Sequence, residues 1–216
     1  MVKVKVCGIT NVEDARAALE AGADTLGFNF YARSPRYVAP EDARLIIRAL
    51  PREALCVGVF VNEKDAAMVA RKAEAAGVAA VQLHGDESPE YCAALGGHRI
   101  IKALRVAEDF APEQATSFQA ESILLDAYSP HARGGTGETF DWELARRTRE
   151  VVAQLYLAGG LTPENVAQAI VAVRPFAVDV CSGVELAPGR KDASRVRAFV
   201  AVVRACEKNL DARTPE

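Results

Sequence analysis

The sequence of 216 residues has no CxxC pair, no GxGxxG, no long apolar run and no large surplus of either charge. Each absence removes a class of function. The five cysteines, at positions 7, 56, 92, 181 and 206, are odd in number and scattered. They form neither a zinc-ligand set nor a disulfide framework, and are expected as reduced thiols of a cytoplasmic protein. Without about eighteen consecutive apolar residues, no membrane span is expected. The N-terminus alternates Val and Lys, unlike the charged-then-apolar pattern of a secretory signal. Lys and Arg number 26 against 29 Asp and Glu, a net charge of −3 that offers no electrostatic footprint for nucleic acid. A small anionic ligand held by local groups stays compatible with that balance. Gly183 and Gly189 enclose five residues and precede Arg190-Lys191, which is not the P-loop spacing.

What is present is a repeat of short β-rich runs, each followed by a helical pattern. The strands are predicted at Val2–Cys7, Thr25–Phe30, Leu55–Val61, Ala79–Leu83, Arg99–Leu104, Ser122–Asp126, Val152–Leu157 and Ala177–Cys181. Helices are predicted at Asn11–Ala21, Pro40–Leu50, Glu63–Ala76, Pro89–Leu95, Trp142–Arg149, Pro163–Val173 and Asp192–Cys206. The stretch Glu108–Ser117 is weakly periodic, so its helix is expected to be short or missing. Asn11, Asn62 and Thr162 suit helix caps, the last with Pro163 in the first turn. Alternating strands and helices imply a parallel sheet with right-handed crossovers. Eight strands favour closure into an α/β (β/α)8 TIM barrel, although six to eight also suit an open doubly wound sheet. No linker or second domain is evident. Residues 1–210 are expected to form a single domain, with 211–216 as a frayed tail.

Side chains alternate along a strand, so Lys3, Lys5 and Cys7 share one face and Val2, Val4 and Val6 the other. If the valines meet the helices, Lys5 faces the barrel interior. There it would meet Asp179 of the neighbouring last strand, which is predicted as its ion-pair partner. Cys7 and Asp126 then stand at the strand ends where such barrels keep catalytic groups. A thiolate and a carboxyl group facing one ligand suit a general base and a general acid; a small buried cysteine and a loop-capping aspartate are the plainer alternatives. The corners Ala158-Gly159-Gly160 and Cys181-Ser182-Gly183 follow the last two strands, where barrels often bind phosphate. Arg36 suits a substrate carboxylate, and His84 suits either the pocket wall or a structural hydrogen bond. Lys102 is a weaker candidate for a Schiff-base lysine. The loop from Pro130 to Gly137, with three glycines, suits a lid or an ordinary long turn. No metal-ligand spacing is present.

Together, Lys5-Val6-Cys7-Gly8-Ile9-Thr10, Ser34-Pro35-Arg36, Gly58-Val59-Phe60-Val61-Asn62 and Gln82-Leu83-His84-Gly85-Asp86-Glu87 resemble the phosphoribosylanthranilate isomerases of tryptophan biosynthesis. The resemblance continues through Leu125-Asp126, Gly134-Gly135-Thr136-Gly137, Leu157-Ala158-Gly159-Gly160-Leu161 and Asp179-Val180-Cys181-Ser182-Gly183-Val184-Glu185. It covers nearly the whole chain. It implies an Amadori rearrangement of a phosphorylated small molecule without a cofactor, with Cys7 as base and Asp126 as acid. It also implies Arg36 on the anthranilate carboxylate and the phosphate on Gly159, Gly160, Ser182 and Gly183. Glu138 stands where lysine is common in that family. The competing readings are another phosphosugar barrel enzyme, a non-catalytic barrel that binds a phosphorylated metabolite, and an obligate subunit of a pathway complex. Monomer and homodimer are both compatible with the sequence.

Overall fold

The computed structural model describes residues 1–106, 110–126 and 142–211. Eight parallel strands pair in chain order and close on themselves, β1 against β8, which excludes the open sheet. They are β1 (Lys3–Cys7), β2 (Thr25–Asn29), β3 (Leu55–Phe60), β4 (Ala80–Leu83), β5 (Arg99–Arg105), β6 (Ser122–Asp126), β7 (Leu155–Ala158) and β8 (Ala177–Val180). Helices α1 (Val12–Glu20), α2 (Pro40–Arg48), α3 (Ala66–Ala76), α4 (Pro89–Ala93), α5 (Trp142–Val151), α6 (Val166–Val173) and α7 (Ala193–Asp211) follow strands one to four and six to eight. The described part of the β5–β6 crossover holds only a 3-10 helix, Pro112–Ser117, as its weak periodicity implied. A small hairpin, β9 (Glu185–Ala187) and β10 (Arg190–Lys191), precedes α7. The glycine-rich loop with its proposed lid, Glu138 and the tail 212–216 lie outside the described residues. No described helix is long and apolar enough to cross a membrane.

Strand parity follows the sequence. Val4 and Val6 are fully buried in the layer between strands and helices. Inside the barrel, Val57, Ile101, Leu124, Tyr156 and their neighbours form a second apolar cluster. Lys5 and Asp179 lie opposite each other in register, and their ion pair is 2.8 Å long within that interior.

Two of the expected caps are corrected. Asn11 does accept the Asp14 N–H at 2.8 Å, but α3 is capped by Asp65, which accepts the Met68 N–H at 2.7 Å. Asn62 instead adopts the left-handed region, with φ 49°, and its side-chain oxygen accepts the Asp86 N–H at 2.7 Å. Helix α6 starts at Val166 and not at Pro163. The Thr162 hydroxyl accepts the Glu164 N–H at 3.2 Å and Asn165 accepts the Thr162 N–H at 2.8 Å. These local bonds hold a turn where the helix would otherwise begin.

The N-terminal end of the barrel is tied by Asp24. Its carboxylate accepts the Val4 N–H at 2.8 Å, Arg204 at 2.8 Å and Lys3 at 3.0 Å. Burial opposes its charge, but the Val4 amide and the two cations outweigh burial and hold the carboxyl below its usual range. Asp24→Asn is therefore expected to cost about 1–2 kcal/mol at neutral pH. The contribution exists above the unfolded-state pKa and disappears as pH falls through the lower folded-state value. Urea unfolding of both proteins checks this, and a gap that persists unchanged into strong acid would refute it.

Candidate active site

At the C-terminal ends of the strands lies a cleft of about 280 Å3. Cys7, Arg36, His84, Asp126, Gly159, Gly160 and Ser182 all line it. A larger hollow of about 480 Å3, near Phe176 and Glu207, opens among residues of the opposite end. The candidate acid, base and arginine face the smaller one.

Cys7 ends β1 and is half-buried. Its cross-strand neighbour is Gly27, where an added Cβ would come within 2.7 Å of the Cys7 sulfur. Glycine is what leaves room for that sulfur. The Cys181 thiol donates a hydrogen bond to Cys7, and Lys5 and Lys191 add positive field; together these outweigh burial and hold the Cys7 thiol well below its ordinary range. The Cys181 thiol is correspondingly driven up, because it keeps the shared proton. Beneath them burial pushes Asp179 up to about 7, while the Lys5 ammonium pulls it back. Burial likewise opposes charge on Lys5, but Asp179 and Cys7 more than compensate.

Asp126 ends β6 on the other side of the cleft. Its Oδ2 lies 3.1 Å from His84 Nε2, and His84 Nδ1 lies 2.8 Å from the Gln82 amide nitrogen. With that amide donating, the neutral ring carries its proton on Nε2 and donates to Asp126. Both readings of His84 therefore hold, since it lines the cleft and makes a hydrogen bond there.

Arg36 reaches the cleft from the loop after β2. Its Nε donates to Glu185 Oε1 at 2.9 Å and its Nη2 to Oε2 at 2.6 Å. Among the described residues Nη1 makes no hydrogen bond, and it is available to an anionic ligand. Glu185 also accepts Lys191 Nζ at 2.8 Å. One carboxylate thus aligns two cations beside Cys7 and Cys181.

The two glycine corners meet backbone to backbone. Gly159 and Gly160 have φ of 90° and 65°, which favours glycine at both. Gly183 does not line the cleft. It lies against the Leu161 carbonyl so closely that a Cβ would overlap that oxygen. Its part is to let the β7 and β8 corners touch, while Ser182 faces the cleft.

Lys102 does not support the Schiff-base alternative. It is buried on the outer face of β5, where Nζ donates to Glu87 at 2.8 Å and to the Gly85 carbonyl at 2.7 Å. The parity of β5 sends its side chain away from the cleft. Sequence reasoning also passed over Gln82, Glu185 and Lys191. Glu185 ends the Asp179–Glu185 motif after β8, a usable signal, but nothing local to Lys191 distinguishes it from a solvated turn lysine. No described group of three or more His, Cys, Asp or Glu is arranged to hold a metal.

Known proteins resemble the chain over nearly its whole length. The family model described as N-(5'phosphoribosyl)anthranilate (PRA) isomerase matches residues 4–202. An N-(5'-phosphoribosyl)anthranilate isomerase of Geobacter sp. (strain M21) is 54% identical over 202 residues, covering 93% of this chain and 97% of its own. The crystal structure of phosphoribosyl anthranilate isomerase from Thermotoga maritima superposes with a TM-score of 0.86 at 46% identity, over 95% of this chain and 100% of that one. A further phosphoribosyl anthranilate isomerase structure, in complex with reduced 1-(o-carboxyphenylamino)-1-deoxyribulose 5-phosphate, gives a TM-score of 0.84 at 44% identity, over 95% of this chain and 100% of that one. Matched from β1 into the last helix by that family model, the chain belongs to the N-(5'-phosphoribosyl)anthranilate isomerase family.

Proposed function

We propose that the protein converts N-(5'-phosphoribosyl)anthranilate into 1-(2-carboxyphenylamino)-1-deoxyribulose 5-phosphate, a step of tryptophan biosynthesis, by acid–base catalysis without a cofactor. The observation that carries this reading is one cleft with a thiolate-favouring Cys7 on β1 and the Asp126 carboxyl group on β6. In this scheme Asp126 gives its proton to the ribose ring oxygen as the C1'–O bond breaks, which opens the sugar to a Schiff base. Cys7 then removes the C2' proton, and the resulting enolamine tautomerises to the ketone. His84, bonded to Asp126, orients the acid.

Arg36, held in place by Glu185, offers Nη1 to the anthranilate carboxylate. The substrate phosphate sits on the Gly159–Gly160 and Ser182–Gly183 corners, where glycine lets the backbone come close. The five free cysteines suit a cytoplasmic setting. A single barrel of residues 1–210 carries the whole site, as monomer or homodimer.

The direct test follows the fluorescence of phosphoribosylanthranilate generated in situ. Rapid loss is expected with the wild type, and a folded protein that leaves the signal unchanged would end this reading. Gly183→Ala forces the two corners apart and weakens charge-assisted bonds to phosphate. Such bonds are each worth about 1.5–3 kcal/mol, so KM should rise roughly 10- to 100-fold with a smaller change in kcat. An unchanged KM would remove the phosphate from these corners.

A further inference from the structure

We propose that Cys7 and Cys181 form a dithiol which a peroxide oxidises to a disulfide, reversibly shutting the cleft. The register places the pair. Val6 lies opposite Val180 across the β1–β8 seam, and the residue that follows each of them is a cysteine. Adjacent strands lie about 4.8 Å apart, within the range of Cα separations that a disulfide spans. Both cysteines line the same cleft. Glycines clear the space around them. A Cβ at Gly27 would lie 2.7 Å from the Cys7 sulfur and one at Gly8 3.0 Å from the Cys181 sulfur.

The other three cysteines differ in kind. Cys56, Cys92 and Cys206 are buried, whereas Cys7 and Cys181 are half-exposed. Burial pushes the Cys56 thiol up to about 11 and raises Cys92 and Cys206 as well. Oxidation follows thiolate character and access. Two cations attend the first pair, where Lys191 Nζ lies 3.8 Å from the Cys181 sulfur and Lys5 lowers the Cys7 thiol.

The chemistry balances with hydrogen peroxide as the oxidant. The Cys7 thiolate attacks one peroxide oxygen, the O–O bond breaks, and hydroxide leaves to become water. Sulfur has lost two electrons and is now a sulfenic acid. Cys181 sulfur then attacks Cys7 sulfur, the S–S bond forms and the S–O bond breaks. The departing hydroxide takes the Cys181 proton and leaves as a second water. Reduction by a dithiol returns both thiols through exchange. The loss of activity, though not the disulfide, rests on the proposed role of Cys7 as base.

The experiment treats the intact protein with hydrogen peroxide, then maps unreduced peptides by mass spectrometry and follows turnover before and after dithiothreitol. The expected result is a Cys7–Cys181 linked peptide, lighter than its two parts by two hydrogen atoms. Turnover should fall at least about 100-fold, the usual worth of a general base, and return on reduction. Cys181→Ser should give no linked peptide. Its oxidised Cys7 should proceed to sulfinic acid, so that turnover, relative to the untreated variant, no longer returns. A wild type whose Cys7 reaches sulfinic acid without any linked peptide would overturn the proposal, as would equal rescue in Cys181→Ser. A linked peptide with full turnover would overturn the shutting of the cleft and remove the base role from Cys7, leaving only the dithiol.

Discussion

Cys7→Ser is expected to lower kcat by roughly 10²–10⁴-fold while the unfolding midpoint stays near that of the wild type. The surroundings of the thiol favour its anion, because Cys181 and the fields of Lys5 and Lys191 hold its pKa below the ordinary range. A serine hydroxyl starts far less acidic, and the same surroundings leave it protonated. Asp126→Asn should lose turnover over the same range, since an amide N–H is far too weak an acid to protonate the ring oxygen. The pH profile sharpens the assignment. A base works deprotonated and an acid protonated, so kcat/KM rises with pH through the Cys7 pKa and falls where Asp126 has lost its proton. The rising limb should lie below the ordinary thiol value of about 8.5, and in Lys5→Met it should move upward. Near-normal kcat in Cys7→Ser, or a limb unmoved in Lys5→Met, would count against the thiolate base.

The largest loss of stability is expected from Lys102→Met. The Lys102–Glu87 pair is 2.8 Å long and almost wholly out of solvent. Glu87 also accepts the Asn62 N–H at 2.8 Å and the Gly85 N–H at 2.9 Å, so one carboxylate fastens the loops after β3 and β4. Removing the cation leaves a buried anion, at a cost of about 3–5 kcal/mol. For a chain of this size that corresponds to a fall in Tm of roughly 6–20 °C. Lys102→Met combined with Glu87→Gln should recover part of it, because the unpaired charge is gone. A fall under about 1 kcal/mol would place the pair with exposed salt bridges. His84 stands just before Gly85, so kcat should drop alongside stability.

Much of this fold is legible in residues 2–7. Alternation of Val and Lys sets which face is inside, and a lone interior lysine demands an anion that the adjacent last strand supplies. The strand ends were equally legible where a polar residue stops an apolar run, as at Asp126. Helix starts were less so. At Thr162 and Asn62, side-chain bonds to nearby backbone amides compete with capping, and the winner depends on where neighbouring loops sit. The partnership of Arg36 with Glu185 spans 149 residues and has no local trace. Lys102 shows the same limit differently. Its parity on β5 was readable, but its carboxylate partner comes from the loop after β4.

Closure of the barrel also orders events during biosynthesis. Strand β1 leaves the ribosome well before its partner β8, which begins at Ala177, and Lys191 comes later still. Until that final fifth of the chain is made, Cys7 lacks the Cys181 hydrogen bond and the Lys191 field, and remains an ordinary thiol. A chain cut short before β8 therefore has neither a closed sheet nor the surroundings that favour the Cys7 thiolate.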